Sequence, residues 1–390
     1  MATADVRGDV LRWARESAGL DVEAVAKRLK VKPDTVAAWE EAGARLPVVR
    51  LREVAQVCKR PIAALLLARP PAEPPGPADF RTVPDAERKA LSPRTIVALR
   101  RARRVQRLAR ELASTTRLPF GPQLDRVSLS DDPNAAATTV RQALGITFDQ
   151  QRSWRSASQA LRRWSQAVER RGVLVVQASM AVEEIRGVSL GDVVPPVVVV
   201  STKDPATARC FSLFHELGHV LLASPGMCDP FADESASATT TDKSSVRCTE
   251  VFCNRFAGAI LVPEVDLRGI VGSRADGGSW SDERLGALAD AFCVSREAML
   301  LRLVSLGGAT PDFYRRKREQ WRAASRVVGP RHGPKPAQRC LRNNGAAFVA
   351  LTLEAHERGA ITRRDVGDYL AIQLRHMAAV ENLLRGGATL

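Results

Sequence analysis

Histidine is scarce in this chain, with 5 among 390 residues, and tyrosine is scarcer, with 2. Aromatic residues together make up only 5%. A core of this chain is therefore largely Ala, Val and Leu, and a hydrophobic content of 45% is enough to build a sizeable one. No Cys-x-x-Cys pair occurs among the 7 cysteines, which are scattered along the sequence. An odd, dispersed set argues against a disulfide framework and for a reduced, cytoplasmic protein. Long apolar runs are missing as well. Residues 62–68 and 197–200 are far too short to span a membrane. The first 21 residues are charged and amphipathic, unlike a signal peptide. Acidic residues are outnumbered, 43 against 58 Lys and Arg, giving a formal net charge of +15. That balance suits an acidic partner, nucleic acid first among them, or reflects an Arg-rich composition shared by the source proteome.

Two of the few histidines fall four residues apart, in the stretch Phe211-Ser-Leu-Phe-His-Glu-Leu-Gly-His-Val-Leu-Leu-Ala223. On a helix, positions i and i+4 share a face. His215 and His219 can then reach one metal ion, with Glu216 beside them as general base. Apolar flanks predict a buried helix, and Gly218 leaves room for another backbone to approach. Two histidines need a third protein ligand. Downstream, residues 223–245 are rich in Ser, Thr, Asp and Gly and read as a loop. Residues 249–263 then read as a helix stopped by Pro263. Glu250 heads its small-residue face and is the expected third ligand, ahead of Cys228, Asp229, Asp233, Glu234 and Cys248. Asn254, one turn on, is placed to accept the outer N–H of a ligand histidine. Zinc is the metal expected from these ligands, and manganese is also accepted by such a set. Tyr314, or one of the many arginines, is a candidate to stabilise the tetrahedral oxyanion.

The remaining chain is read in order. Apolar spacing predicts a helix that starts at Val10 and stops at Gly19, then helices at residues 22–29, 34–40 and 48–58, with Asp21 capping the second and Pro33 opening the third. This succession predicts a helix-turn-helix. Its outward face would be Lys32, Asp34, Thr35, Ala37, Ala38 and Glu41, in which alanine and acidic residues suit base edges and phosphate poorly. Residues 69–77, with five prolines, predict a stiff linker. From Ser92 a long helix follows, with Leu99, Ala102, Val105, Ala109 and Leu112 inward. Arg100, Arg104 and Arg107 on its other side are candidate partner or phosphate contacts, along with Lys32 and Thr35. Helices are expected at residues 131–144 and 154–168. Residues 172–176 and 196–200 are β-branched runs that predict strands, with 185–189 a third. Residues 282–306 have a second helix-turn-helix shape, expected to pack on the core, and 345–360 and 362–384 read as two closing helices. The expected organisation is a helix-turn-helix bundle at 1–68, a linker at 69–80, a zincin-like core at 81–270 with a basic helical lead-in, and a helical region at 271–390. The fold class is α+β and mostly helical.

Val25-Ala26-x-x-Leu29, Val31-x-x-x-Thr35-Val36, Trp39-Glu40 and Leu51-x-x-x-Ala55 resemble the Cro/C1-type (XRE) helix-turn-helix family. The second helix begins with Val22, where that family usually has Gln. The sequence Arg209-Cys-Phe-Ser-Leu-Phe-His-Glu-Leu-Gly-His219, with Glu250-x-x-Cys-Asn-Arg-Phe-Ala257 and Leu261-Val-Pro263, resembles the ImmA/IrrE metallo-endopeptidases. The resemblance extends to the strand at 172–176 and the linker end Asp79-Phe80-Arg81. It implies a metal-dependent endopeptidase that cuts an XRE-type repressor and so derepresses phage, mobile-element or stress genes. The alternative is a DNA-binding regulator or antitoxin-like protein with a vestigial or structural metal site, for which a retained general base at Glu216 would have no use.

Overall fold

A computed structural model describes residues 2–71, 91–117, 121–182, 184–223, 226–228, 241–272, 280–324 and 333–387. The linker at 69–80 lies mostly outside these residues, as do Asp79-Phe80-Arg81, Asp229, Asp233 and Glu234. Contacts divide the chain into one unit of Met1–Arg101 and another of Ala102–Leu390.

In the first unit, β1 (Thr3–Val6) is followed by α1 (Gly8–Glu16), α2 (Val22–Leu29) and α3 (Pro33–Ala42), then β2 (Ala44–Pro47), α4 (Val48–Val57) and α5 (Ile62–Leu65). Asp21 accepts the Ala24 N–H at 2.6 Å and caps α2, and Pro33 opens α3. Val25, Ala26, Leu29, Val36, Leu51, Val54 and Ala55 share one core. The antiparallel β1–β2 pair has no counterpart in the sequence reading. Its strands are four residues each and pair across some forty residues, so neither carries a usable alternation. Glu40 is buried in this unit, where Arg15 grips both carboxylate oxygens, at 2.6 and 2.9 Å.

Helix α6 (Pro93–Thr116) spans the boundary between the units. Its expected inward residues Leu99, Ala102, Val105, Ala109 and Leu112 are all buried. Next come α7 (Pro133–Leu144), α8 (Phe148–Arg152) and α9 (Ala157–Glu169). The single helix expected from 154 thus starts later, because Ser156 caps it on the Gln159 N–H. Strands β3 (Leu174–Ala178), β4 (Gly187–Leu190), β5 (Val197–Ser201) and β6 (Gly226–Cys228) form a sheet in the order β3-β5-β4-β6. β3 and β5 run parallel, and β4 is antiparallel to β5 and to β6. Leu174–Val176 of β3 and Val197–Val200 of β5 are apolar runs whose residues are all buried, as both faces of this part of the sheet are covered.

Helix α10 (Ala206–Leu221) packs on β4, β5 and α9, and against α11 (Thr241–Leu261). α11 begins eight residues before the expected start and takes up part of the predicted loop, whose Ser, Thr and Asp favour turns by local hydrogen bonding. Then follow α12 (Glu264–Val271), α13 (Asp282–Ala291), α14 (Arg296–Ser305) and α15 (Pro311–Ala324). Ala298, Met299, Leu300 and Leu303 of α14 are buried in the main core, so this second helix-turn-helix shape packs inward. The chain closes with α16 (Pro336–Asn344), α17 (Ala346–Glu357), α18 (Arg363–Leu370) and α19 (Met377–Gly387). The last expected helix is broken at Ala371, whose φ of 50° ends α18. Among the described residues, no helix is long and apolar enough to cross a membrane.

Candidate metal centre

Helix α10 is apolar nearly all round, and everything from Cys210 to Leu221 is buried. Such a helix belongs in a core. His215 and His219 are 0% and 1% exposed, and Glu216 is 0% exposed. Opposite them, α11 presents Glu250 and Asn254, again four residues apart and on one face. The two helices meet closely because of Gly218. A Cβ at this position would lie 3.0 Å from Cys253 Sγ and 3.4 Å from Cys253 Cα. Burial also pushes the Cys253 thiol well above its ordinary pKa, so it stays protonated and acts as an apolar contact.

The consequence is a compact cluster of three donors. His215 Nε2 and His219 Nε2 are 3.2 Å apart. Glu250 Oε2 is 3.3 Å from the first and Glu250 Oε1 is 3.4 Å from the second. Tetrahedral ligands about 2.0–2.1 Å from one ion stand roughly 3.3–3.4 Å from one another, so the donor set fits a single divalent metal. His215 Nδ1 donates to Asn254 Oδ1 at 2.9 Å. That bond leaves the Nε2 lone pair facing the cluster, in the tautomer a ligand needs. Burial works against the ionised form of Glu250. The contacts with His215 and His219 outweigh it and hold the carboxyl far below the usual range.

Of the other candidate ligands, Asp229, Asp233 and Glu234 fall outside the described residues. Cys248 is an exposed free cysteine on α11, and Cys228 belongs to β6. Among the described residues, His215, His219 and Glu250 are the group of His, Cys, Asp or Glu side chains close enough to share a metal. The Tyr314 hydroxyl donates to Glu297 at 3.3 Å. On α6, Arg100 donates to the carbonyls of Cys58 and Lys59, Arg104 to that of Asp368, and Arg107 to Glu111. Lys32 is exposed at the start of α3 and Thr35 is half-buried, with Asp34, Ala37, Ala38 and Glu41 exposed beside them.

Residues 168–304, which hold both metal-facing helices and the sheet, match the family model of the IrrE N-terminal-like domain, a peptidase family. Residues 8–66 match that of a helix-turn-helix domain. The two matches, a helix-turn-helix ahead of an IrrE-like peptidase domain, agree with the ImmA/IrrE-type arrangement expected from the sequence. The IrrE-like domain starts at the end of α9 and closes in α14, which explains why α13 and α14 share the metal domain's core. No curated protein and no solved structure matches the chain.

Proposed function

We propose that the protein is a zinc-dependent endopeptidase, and that its substrate is an XRE-type transcriptional repressor whose cleavage derepresses phage, mobile-element or stress genes. The observation that carries the peptidase reading is the convergence of His215, His219 and Glu250 beside a fully buried Glu216. His215, His219 and Glu250 would hold the metal, and Asn254 fixes the orientation of His215. Zinc bound there would supply a Lewis acid that polarises a scissile carbonyl and acidifies water; manganese suits the same ligands. Glu216 takes a proton from the attacking water and hands it to the leaving amine.

The repressor reading rests on the helix-turn-helix domain. Its α3 surface of Ala37, Ala38, Asp34 and Glu41 suits a protein face better than phosphate. A docked repressor would be held at raised effective concentration near the metal. The test is a gel assay against an XRE-type repressor encoded nearby, with and without metal, using the full chain and a form starting near Asp79. Metal-dependent cleavage that the shorter form loses is expected, with hydrolysis of a short peptide carrying the cut site retained. Equal cleavage of intact repressor by both forms would show that the bundle is not the dock.

A further inference from the structure

Strand β4 packs on helix α10, and Gly187 is the strand residue that meets Glu216. A Cβ on Gly187 would stand 2.7 Å from Glu216 Oε1, 2.8 Å from its Cγ and 3.1 Å from its Cδ, whereas ordinary contact begins at 3.4 Å. The carboxylate of the proposed general base therefore lies directly against bare backbone.

Neither backbone can retreat. Gly187 pairs with Val200 in the β4–β5 ladder. The preceding residue is fixed twice, because the Ser201 N–H donates to the Arg186 carbonyl at 2.9 Å and the Arg186 guanidinium pairs with buried Asp204 at 3.1 Å. Val188, Ser189 and Leu190 continue the strand as buried residues. On the other side, α10 is held against α11 through Gly218 and Cys253. What can move is the end of the Glu216 side chain.

Resting on the peptidase reading above, we infer that Gly187 is a positioning residue for Glu216, setting where the general base stands by having no side chain. The three atoms nearest to a Cβ there all belong to Glu216, and none is a metal-facing donor, so alanine leaves those donors in place. It pushes the carboxylate instead. A general base displaced by a fraction of an ångström to an ångström can lose about a hundredfold in rate, because proton transfer needs hydrogen-bond reach.

The test is a double-mutant cycle on the full chain, read by cleavage of the repressor, metal content, thermal unfolding and the NMR resonance of the Glu216 carboxyl carbon. That resonance is assigned by its loss in E216Q. In G187A we expect kcat lower by about a hundredfold, KM within about twofold, and metal content unchanged. The carboxyl resonance should be displaced even in the metal-free protein. In an E216D background, where the shorter side chain leaves room, adding G187A should cost less than about threefold, because coupled residues are non-additive. Gly191→Ala is the control for the same hairpin, since its Cβ would find Val220 Cα at an ordinary 4.0 Å. It should leave activity and the resonance as in wild type. An unmoved resonance in folded G187A overturns the inference, as does wild-type cleavage or an equal loss in both backgrounds. If the wild-type protein cuts nothing while the resonance still moves, the peptidase reading falls and the positional one stands.

Discussion

Glu169 offers a pH test of how the C-terminal helices are attached to the metal domain. It is the last residue of α9, only 6% exposed, and its Oε2 accepts the Ala346 N–H at the start of α17, at 3.1 Å. Gly345 must be glycine here: its φ is +80°, and a Cβ would lie 2.2 Å from Glu169 Oε1 and 2.7 Å from the Val175 carbonyl. Burial pushes the Glu169 carboxyl up from 4.5 to about 8, against the pull of backbone N–H groups of Ala347, Ala346 and Val175. The folded state thus holds this proton more tightly than the unfolded chain. The resulting stability is fully present below the unfolded value of 4.5, falls as pH rises, and is gone above about 8. At about 1.4 kcal/mol per pKa unit, the upper bound is on the order of 5 kcal/mol. Glu169→Gln keeps the acceptor and removes the titration. Thermal unfolding of both proteins from about pH 5 to about pH 9 should show wild type losing ground to E169Q by several degrees. Wild type gaining on E169Q over that range would refute the argument, and would mean that the start of α17 prefers the carboxylate.

Other expectations concern the metal and the charge. The purified protein should hold about one divalent ion per chain by elemental analysis. His215→Ala or Glu250→Gln should remove most of it, while Glu216→Gln should keep the ion and lose hydrolysis; E250Q binding as well as wild type would point to a different third ligand. Asn254→Ala should weaken metal affinity by about 10–100-fold in a chelator competition, because it frees the His215 ring. Gly218→Ala should destabilise by about 1–3 kcal/mol through overpacking against Cys253, and Cys253→Ala in the same chain should restore much of the loss in a thermal scan. DNA binding should fall steeply with salt and discriminate little between sequences in a filter or fluorescence titration, given a net charge of +15 and an acidic, alanine-rich α3. Tight, salt-resistant binding to one operator would contradict that.

The metal-facing residues were legible because both pairs are spaced by helical periodicity. His215 with His219, and Glu250 with Asn254, are each four apart, so a helix assignment alone puts each pair on one face. That the two faces meet was legible only in part, through Gly218 and the small residues of α11. What could not be read was non-local or carried by polar sequence. The pairs β1–β2 and β4–β6 join segments some forty residues apart and leave no local pattern. The early turns of α11 are Ser, Thr, Asp and Lys, residues whose composition signals a loop. Helix α16 was missed because its polar sequence hides a narrow inward stripe of Ala337, Cys340 and Asn344. Strand β4 was expected at 185–189 and lies at Gly187–Leu190; Gly187 belongs to both ranges, but that it faces Glu216 is a non-local contact with no local signal.

The His-Glu-x-x-His pattern is therefore only half of what the site requires. Its metal-facing side needs α11 near enough for a carboxylate to stand 3.3–3.4 Å from both imidazoles, and Gly218 provides that approach. Its Glu216 side needs a strand near enough to lie against that side chain, and Gly187 provides that one. The two glycines act in opposite directions on the same helix. One draws a neighbouring helix toward the histidines, and the other seats the strand against the base. A chain that kept the motif but filled either position would keep the residues of a metallopeptidase and lose the spacing that lets them act together.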